Sequence, residues 1–239
     1  MFEMKIFRLA AAVLVPPILA GCAARPALIR KPFVPPAIVA VLPFANDSNN
    51  MEAPELMQKL AWLGLERGGY RMVPLQESVE RLRKAGITVG GQLGSKTAPE
   101  LASLLGADAV LYGTVTKFSY VTLGVYLKRQ VAVDASLVSS DGSVIWRDSA
   151  SATRTLIELD TRRAARELAI QLAVKWVEKI VSHPLYPEMQ RSLYELFSTL
   201  PAANGGANVG KRMDRGFDRW WDSWVPFLGR LFDFAARKH

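Results

Sequence analysis

The chain has 239 residues, half of them hydrophobic, a formal charge of +8 and a single cysteine. That apolar content excludes an intrinsically disordered chain and supports one full domain with additional segments. One thiol excludes an intramolecular disulfide, so packing must hold the fold.

The first segment is a leader. Lys5 and Arg8 precede an apolar run over residues 9–20, which closes on Leu19-Ala20-Gly21-Cys22. A basic start followed by a short apolar run has the order of a secretory signal. A retained membrane span needs about 20 apolar residues, and here Pro16-Pro17 interrupts a shorter run. An ordinary secretory cut among the small residues Ala20, Gly21 and Ala23 is also chemically permitted. The Leu-Ala-Gly-Cys ending resembles the bacterial lipobox. The resemblance implies cleavage before Cys22, so that residues 1–21 are a signal peptide, and lipid such as palmitate on the Cys22 thiol and amine. Two or more acyl chains anchor a protein stably, whereas one anchors it marginally. Ala23 rather than an aspartate after the cysteine implies the outer membrane, with the domain facing the periplasm. Behind such a leader the basic charge points to lipid headgroups, lipopolysaccharide or cell-wall polymers, with a solvated basic surface as the alternative, and not to nucleic acid.

Residues 22–36 carry four prolines and three cations and read as an extended tether. Residues 37–200 read as the periplasmic domain. Its opening, Ala37-Ile38-Val39-Ala40-Val41-Leu42-Pro43-Phe44, is a continuous apolar run that predicts a strand buried on both faces. A polar turn, Asn46-Asp47-Ser48-Asn49-Asn50, leads to a helix over residues 51–66 that Gly68-Gly69 ends. A short strand over 70–74 and a helix over 76–85 follow. Thr97-Ala98-Pro99-Glu100 is a capping-box pattern for a helix ending at Gly106. Residues 108–116 then predict a third strand.

After this the period becomes two. Val131, Val133, Ala135 and Leu137 alternate with polar or small residues, and Asp141-Gly142 signals a hairpin returning through Val144-Ile145-Trp146. Residues 121–127 read as the start of the same meander. A long helix is expected over residues 160–181, with Leu168, Leu172, Trp176 and Ile180 on one face. The predicted fold class is α/β: a mixed sheet with an early βαβ portion and a late antiparallel meander, packed by helices, plus a C-terminal amphipathic helical tail.

Two segments carry a family resemblance, Ile38-Val39-Ala40-Val41-Leu42-Pro43-Phe44-Ala45-Asn46 and Gly106-Ala107-Asp108-Ala109-Val110-Leu111-Tyr112-Gly113-Thr114-Val115. They resemble the opening strand and the strand after the "GAD" turn of CsgG-type and TolB amino-terminal-type envelope domains. Residues 137–146 are similar to the hairpin these lipoproteins share. Taken together the arrangement most resembles an uncharacterised bacterial lipoprotein family related to them. The resemblance spans residues 37–182 and implies an envelope role in assembly or transport without known catalysis, with a CsgG-type pore as one partner.

Few residues carry chemistry. Gly90-Gly91-Gln92-Leu93-Gly94-Ser95-Lys96-Thr97 looks like a phosphate loop, but Ser95 stands where the pattern needs Gly, and a helix rather than a strand precedes it. The two histidines, His183 and His239, belong to no triad or ligand cluster visible in sequence. No catalytic residue, metal ligand or cofactor beyond covalent lipid on Cys22 is assigned, and the expectation is a protein that is not an enzyme. Asn46, Asp47, Ser48 and Asn49 form the candidate ligand or partner loop, because open α/β sheets place ligands at the carboxyl ends of their strands. The alternative for the same residues is a polar turn with a helix cap.

Residues 201–239 read as a linker and a Trp-rich tail. Phe217, Trp220, Trp221, Trp224 and Phe227 recur at roughly helical spacing among interleaved Arg and Asp. Such a face suits a membrane interface or a partner, and docking on its own domain or on another copy, as a homo-oligomer, is the alternative. These features favour a lipid-anchored accessory in envelope assembly or secretion. The rival is a periplasmic carrier of a small lipid or glycan fragment with its site at the Asn46 loop.

Overall fold

The structure is a computed structural model that describes residues 27–123, 126–157 and 185–213. A seven-stranded mixed sheet forms its centre. The strands are β1 (Leu28–Ile29), β2 (Ile38–Val41), β3 (Ala45–Asn46), β4 (Arg71–Met72), β5 (Ala109–Leu123), β6 (Tyr126–Ser139) and β7 (Val144–Ile157). Their spatial order is β1-β7-β6-β5-β2-β4, with β3 continuing alongside β5. β2 is parallel to β4 and to β5, while β5, β6 and β7 form an antiparallel meander and β1 pairs antiparallel with β7. This is the expected mixed α/β class.

The apolar run at the start of the domain is continuous because both faces of β2 are covered. Val39 and Val41 join one core with α1 (Ala53–Arg67) and α4 (Tyr186–Phe197), through Met57, Ala61, Leu65, Met189, Leu193 and Phe197. Ala40 and Leu42 join the other with α2 (Leu75–Lys84) and α3 (Ala98–Leu105), through Leu82, Leu101 and Leu105. All four β2 and following residues, Val39 to Leu42, are fully buried. Each full burial of a Val or Leu side chain contributes about 1.5–3 kcal/mol, so this short strand anchors both layers.

The helix ends follow local chemistry. Thr97 Oγ1 accepts from Glu100 N, and the Glu100 carboxylate accepts from Thr97 N at 2.6 Å, so α3 starts on a complete capping box. Gly106 closes it in the left-handed region at φ +65°. The adjoining Asp108 then ties three segments together. Its carboxylate accepts from Ile38 N, its own N–H donates to Ile38 O, and its carbonyl accepts from Ser140 N. The "GAD" turn is therefore a structural clamp between β2 and the β6–β7 hairpin. Gly142 sits in that hairpin at φ +86°, and Asp141 Oδ1 accepts from the backbone and hydroxyl of Ser143.

Four features depart from the sequence reading. The extended tether over residues 22–36 gives way to sheet at Leu28–Ile29, where β1 covers the free edge of β7, and Phe33 packs against the core. β5 does not stop at 116. An extra residue at Thr116 shifts the register between Val115 and Lys117, which keeps Phe118 on the buried face and lets the strand run to Leu123. Residues 121–123 thus end β5 and residues 126–127 begin β6. The α4 helix was not anticipated, although Met189, Leu193, Leu196 and Phe197 carry helical spacing. Finally, residues 201–206 do not act as a free linker. Tyr70 donates to Pro201 O at 2.7 Å, Ala203 N donates to Gly68 O, and Ala202 and Val209 are buried. Burial raises the pKa of the Tyr70 hydroxyl, which keeps it a donor.

The helix expected over 160–181 and His183 lie outside the described residues, as do the leader with Cys22 and the aromatic tail residues Phe217, Trp220, Trp221, Trp224 and Phe227.

Candidate functional site

The Asn46 loop leaves β3 at the carboxyl end of the central strands. Asp47 N donates to Val115 O, so the loop stays hydrogen-bonded along β5. Asn46 Oδ1 accepts from Ser48 N and from Ser48 Oγ at 2.7 Å, while its amide donates to Asn50 O. Asn50 Oδ1 accepts from Glu52 N and Ala53 N, both at 2.9 Å, and so caps the first turn of α1. The side chains of Asn46, Ser48 and Asn50 are thereby engaged within the loop. The arrangement suits a rigid entry to α1, the second of the two readings of this segment.

What fixes this loop lies in residues with no functional look in sequence. A Cβ on Gly113 would stand 2.3 Å from Phe44 Cζ, and one on Gly90 would stand 2.4 Å from the Phe44 carbonyl and Ala45 N. Phe44 is wedged between the two glycines and is 2% exposed. A glycine inside a strand pattern marks such close backbone approach, which was the available signal at Gly113. The stretch that looked like a phosphate loop is a 3-10 turn, Gly90–Ser95, leading to the capped α3. Gln92 Oε1 accepts from Thr88 N and Val89 N within it.

A groove of about 410 Å³ lies elsewhere, at the amino end of β5, between the Pro32–Pro36 stretch and Asp108, Ser139 and Ile145. Arg30 closes one side, with Nη1 donating to Ser143 Oγ at 2.9 Å. The groove is therefore at the opposite end of the sheet from the Asn46 loop. Among the described residues no group of three or more His, Cys, Asp or Glu is placed to hold a metal ion. Among them also, no helix is long and apolar enough to cross a membrane.

The end of the meander where β5 and β7 finish and β6 begins forms a second surface. Beyond the helices, β5, β6 and β7 continue as a three-stranded ribbon whose far end exposes Tyr120, Val121, Leu123 and Leu156. Sequence reasoning placed Val121 and Leu123 at the start of the meander, assigned Tyr120 and Leu156 to no element, and did not see them as one surface.

No curated protein matches the chain. Among solved structures it is similar to the crystal structure of lipoprotein GNA1162 from Neisseria meningitidis, at 24% identity and a TM-score of 0.48, covering 60% of this chain and 99% of that one. It is also similar to the PelC dodecamer from Paraburkholderia phytofirmans, at 22% identity and a TM-score of 0.39, covering 58% and 86%. The LpoB C-terminal domain from Salmonella enterica is similar at 19% identity and a TM-score of 0.35, covering 51% and 85%. The GNA1162-like lipoprotein family matches residues 32–191, more than half of the chain, and that match lends no support to a specific CsgG or TolB relationship. By this match the chain belongs to the GNA1162-like lipoprotein family.

Proposed function

We propose that the protein is a lipid-anchored lipoprotein of the bacterial envelope that works as a non-enzymatic accessory in assembly or secretion. The observation that carries this reading is membership of a lipoprotein family by a chain that itself bears the Leu19-Ala20-Gly21-Cys22 ending. Cys22 is the lipidated residue, and Ala23 behind it directs the protein to the outer membrane with its domain in the periplasm. The internal hydrogen bonding of Asn46, Ser48 and Asn50 favours the accessory over the ligand carrier, because it leaves only the exposed Asp47 and Asn49 side chains of the loop turned to solvent. A partner then meets surfaces rather than a pocket, and the aromatic tail around Trp220, Trp221 and Trp224 supplies one of them. A CsgG-type pore is the machine suggested by the strand motifs at 38–46 and 106–115 alone.

The test is in-cell crosslinking of the full protein, with capture and mass spectrometry of both the partners and the amino-terminal peptide. A Cys22→Ser variant is the control. The expected result is an acylated Cys22 at the mature terminus and an assembly or secretion component captured only by the lipidated form. A mature terminus elsewhere, with a free Cys22 thiol, refutes the anchor. Capture independent of Cys22 refutes the membrane-tethered accessory.

A further inference from the structure

We propose that the far end of the β5–β6–β7 ribbon is a membrane-docking tip, which enters the headgroup region of an anionic lipid bilayer, the same one that holds Cys22. The proposal rests on the lipid-anchor reading above and adds a second, non-covalent contact to it.

The first support is the order of residues along the ribbon. The last two rungs are Leu123–Tyr126–Ile157 and Thr122–Leu127–Leu156. The next two are Val121–Lys128–Thr155 and Tyr120–Arg129–Arg154. An apolar end is thus backed directly by Lys128, Arg129 and Arg154, with the Arg129 guanidinium 5.3 Å from the centre of the Tyr120 ring. Two rungs span about 7 Å at the strand rise. That depth falls in the roughly 5–10 Å to which interfacial segments bury their apolar face. The cations and Tyr120 then stand at headgroup level, where such residues are favoured.

Exposure and charge agree with this. Leu123 is 68% exposed and Leu156 45%, whereas Leu127 on the Leu156 rung is buried, so the exposed apolar surface of this end is that of Leu123 and Leu156. No Asp or Glu occurs between Lys117 and Val133, or between Ser149 and Ile157. Of the flanking carboxylates, Asp148 accepts from Thr199 and is turned to α4, Asp134 lies opposite Thr114 toward the core end, and Glu158 and Asp160 lie outside the described residues. Among the described residues the collar of Lys128, Arg129 and Arg154 is cationic and selects an anionic lipid surface, with each Lys or Arg strengthening adsorption about fivefold.

The third support is direction. β1 runs antiparallel to β7, with Leu28 opposite Arg147 and Ile29 opposite Trp146. Traced backward from Ile29 to Leu28, β1 therefore points along the ribbon toward its tip. The six residue steps from Leu28 to Cys22 reach at most about 20–22 Å. The ten steps of β7 from Arg147 to Ile157 span about 33 Å. With the tether running the way β1 aims it, the tip reaches at least as far as the anchor, and a bilayer holding the Cys22 acyl chains meets it.

Depth measurement at a single thiol tests this. Lipidation consumes Cys22, the only cysteine, so a Leu123→Cys variant of the full lipidated protein carries one free thiol for a nitroxide label. The protein is reconstituted in phosphatidylethanolamine–phosphatidylglycerol vesicles, and an Asp141→Cys variant at the opposite hairpin is the reference. The expected result is a label at 123 immersed about 5–10 Å below the phosphate level, while 141 stays in water. Adding Lys128→Gln and Arg154→Gln to Leu123→Cys shifts the balance of immersed to water-exposed label by about fivefold each. A protein that floats with the vesicles but keeps 123 as water-accessible as 141 overturns the tip and leaves the anchor standing. A protein that does not float overturns the anchor. Strong spin coupling between 123 labels without immersion shows a second copy on this surface and overturns the lipid docking. Immersion indifferent to the two Gln substitutions overturns it as an anionic-surface contact.

Discussion

Gly113→Ala tests the account of how the Asn46 loop is seated. The added Cβ stands 2.3 Å from Phe44 Cζ and 2.4 Å from both Cε atoms, whereas ordinary contact begins near 3.4 Å. It points at the para end of the ring. Rotation about χ2 leaves Cζ where it is, so the clash is relieved only by moving χ1 or the backbone. Overpacking costs typically about 1–3 kcal/mol, and a ring that cannot turn aside places this case near 3 kcal/mol. Phe44→Leu alone costs about 1–1.5 kcal/mol through lost volume. In the double variant the shorter side chain vacates the space, so the two changes couple favourably by at least about 1 kcal/mol. Gly90→Ala supplies the contrast. Its Cβ meets the Phe44 carbonyl and Ala45 N, which are backbone, so Phe44→Leu does not rescue it. Urea unfolding followed by circular dichroism on the leaderless chain reads the parent and the five variants, three single and two double. A Gly113→Ala cost below about 0.5 kcal/mol, or strict additivity with Phe44→Leu, refutes the wedge.

Other expectations follow from the same contacts. Thr97→Ala removes the acceptor of the α3 capping box and lowers stability by about 1 kcal/mol in the same urea assay. Asn50→Ala strips α1 of its side-chain acceptor and costs about 1 kcal/mol, with no effect expected on a ligand screen. Trp146 Nε1 donates to Thr199 Oγ1 at 3.0 Å, and that hydroxyl donates on to Asp148 at 2.7 Å. Thr199→Val leaves the buried indole N–H without its acceptor, at about 1–3 kcal/mol, whereas Thr199→Ser retains it. The Glu100 carboxyl is held below its ordinary 4.5 by the Thr97 backbone N–H and then by the Thr97 hydroxyl. Its folded pKa is below the unfolded one. Its contribution is therefore complete above about pH 4.5 and fades as pH falls through the lower folded value. Glu100→Gln flattens that acid limb of a stability–pH curve, and an unchanged limb refutes the assignment.

Period and punctuation made the proximal half of the fold readable. The continuous run at 37–44 meant burial on both faces, and β2 is buried on both faces; Thr97, Glu100 and Gly106 bound α3 as their chemistry requires. The errors fell where long-range partners decide. Leu28–Ile29 is too short to signal a strand, and only the open edge of β7 makes it one. The bulge at Thr116 depends on the register of β6 and leaves no mark in β5 alone. Residues 201–206 have linker composition, yet the end of α1 offers Gly68 O and Tyr70 to hold them. At the Asn46 loop the sequence showed polar residues at a strand end but not their pairing, which is what separates a binding loop from a cap. The ribbon tip escaped notice because its members come from three strands and meet only by register.

The position of the tip also determines how its variants can be read. Leu123 and Leu156 belong to neither core and are 68% and 45% exposed. Surface substitutions away from caps and cores change stability by no more than about 0.5 kcal/mol. Leu123→Asp with Leu156→Asp is therefore expected to unfold at the parental urea midpoint. Phe118 and Val131, which share the rung five steps back from that of Leu123, are buried and belong to the α1–α4 core. Phe118→Asp is expected to destabilise the domain instead, since it places a charge among apolar side chains. The boundary between these outcomes lies at the rungs of Tyr120 and Val121, where the cations stand. If both sets of substitutions unfold the protein alike, the tip is part of the core and lost membrane contact says nothing about docking. If only the inner set does, a change in label depth at 123 reports the lipid surface itself.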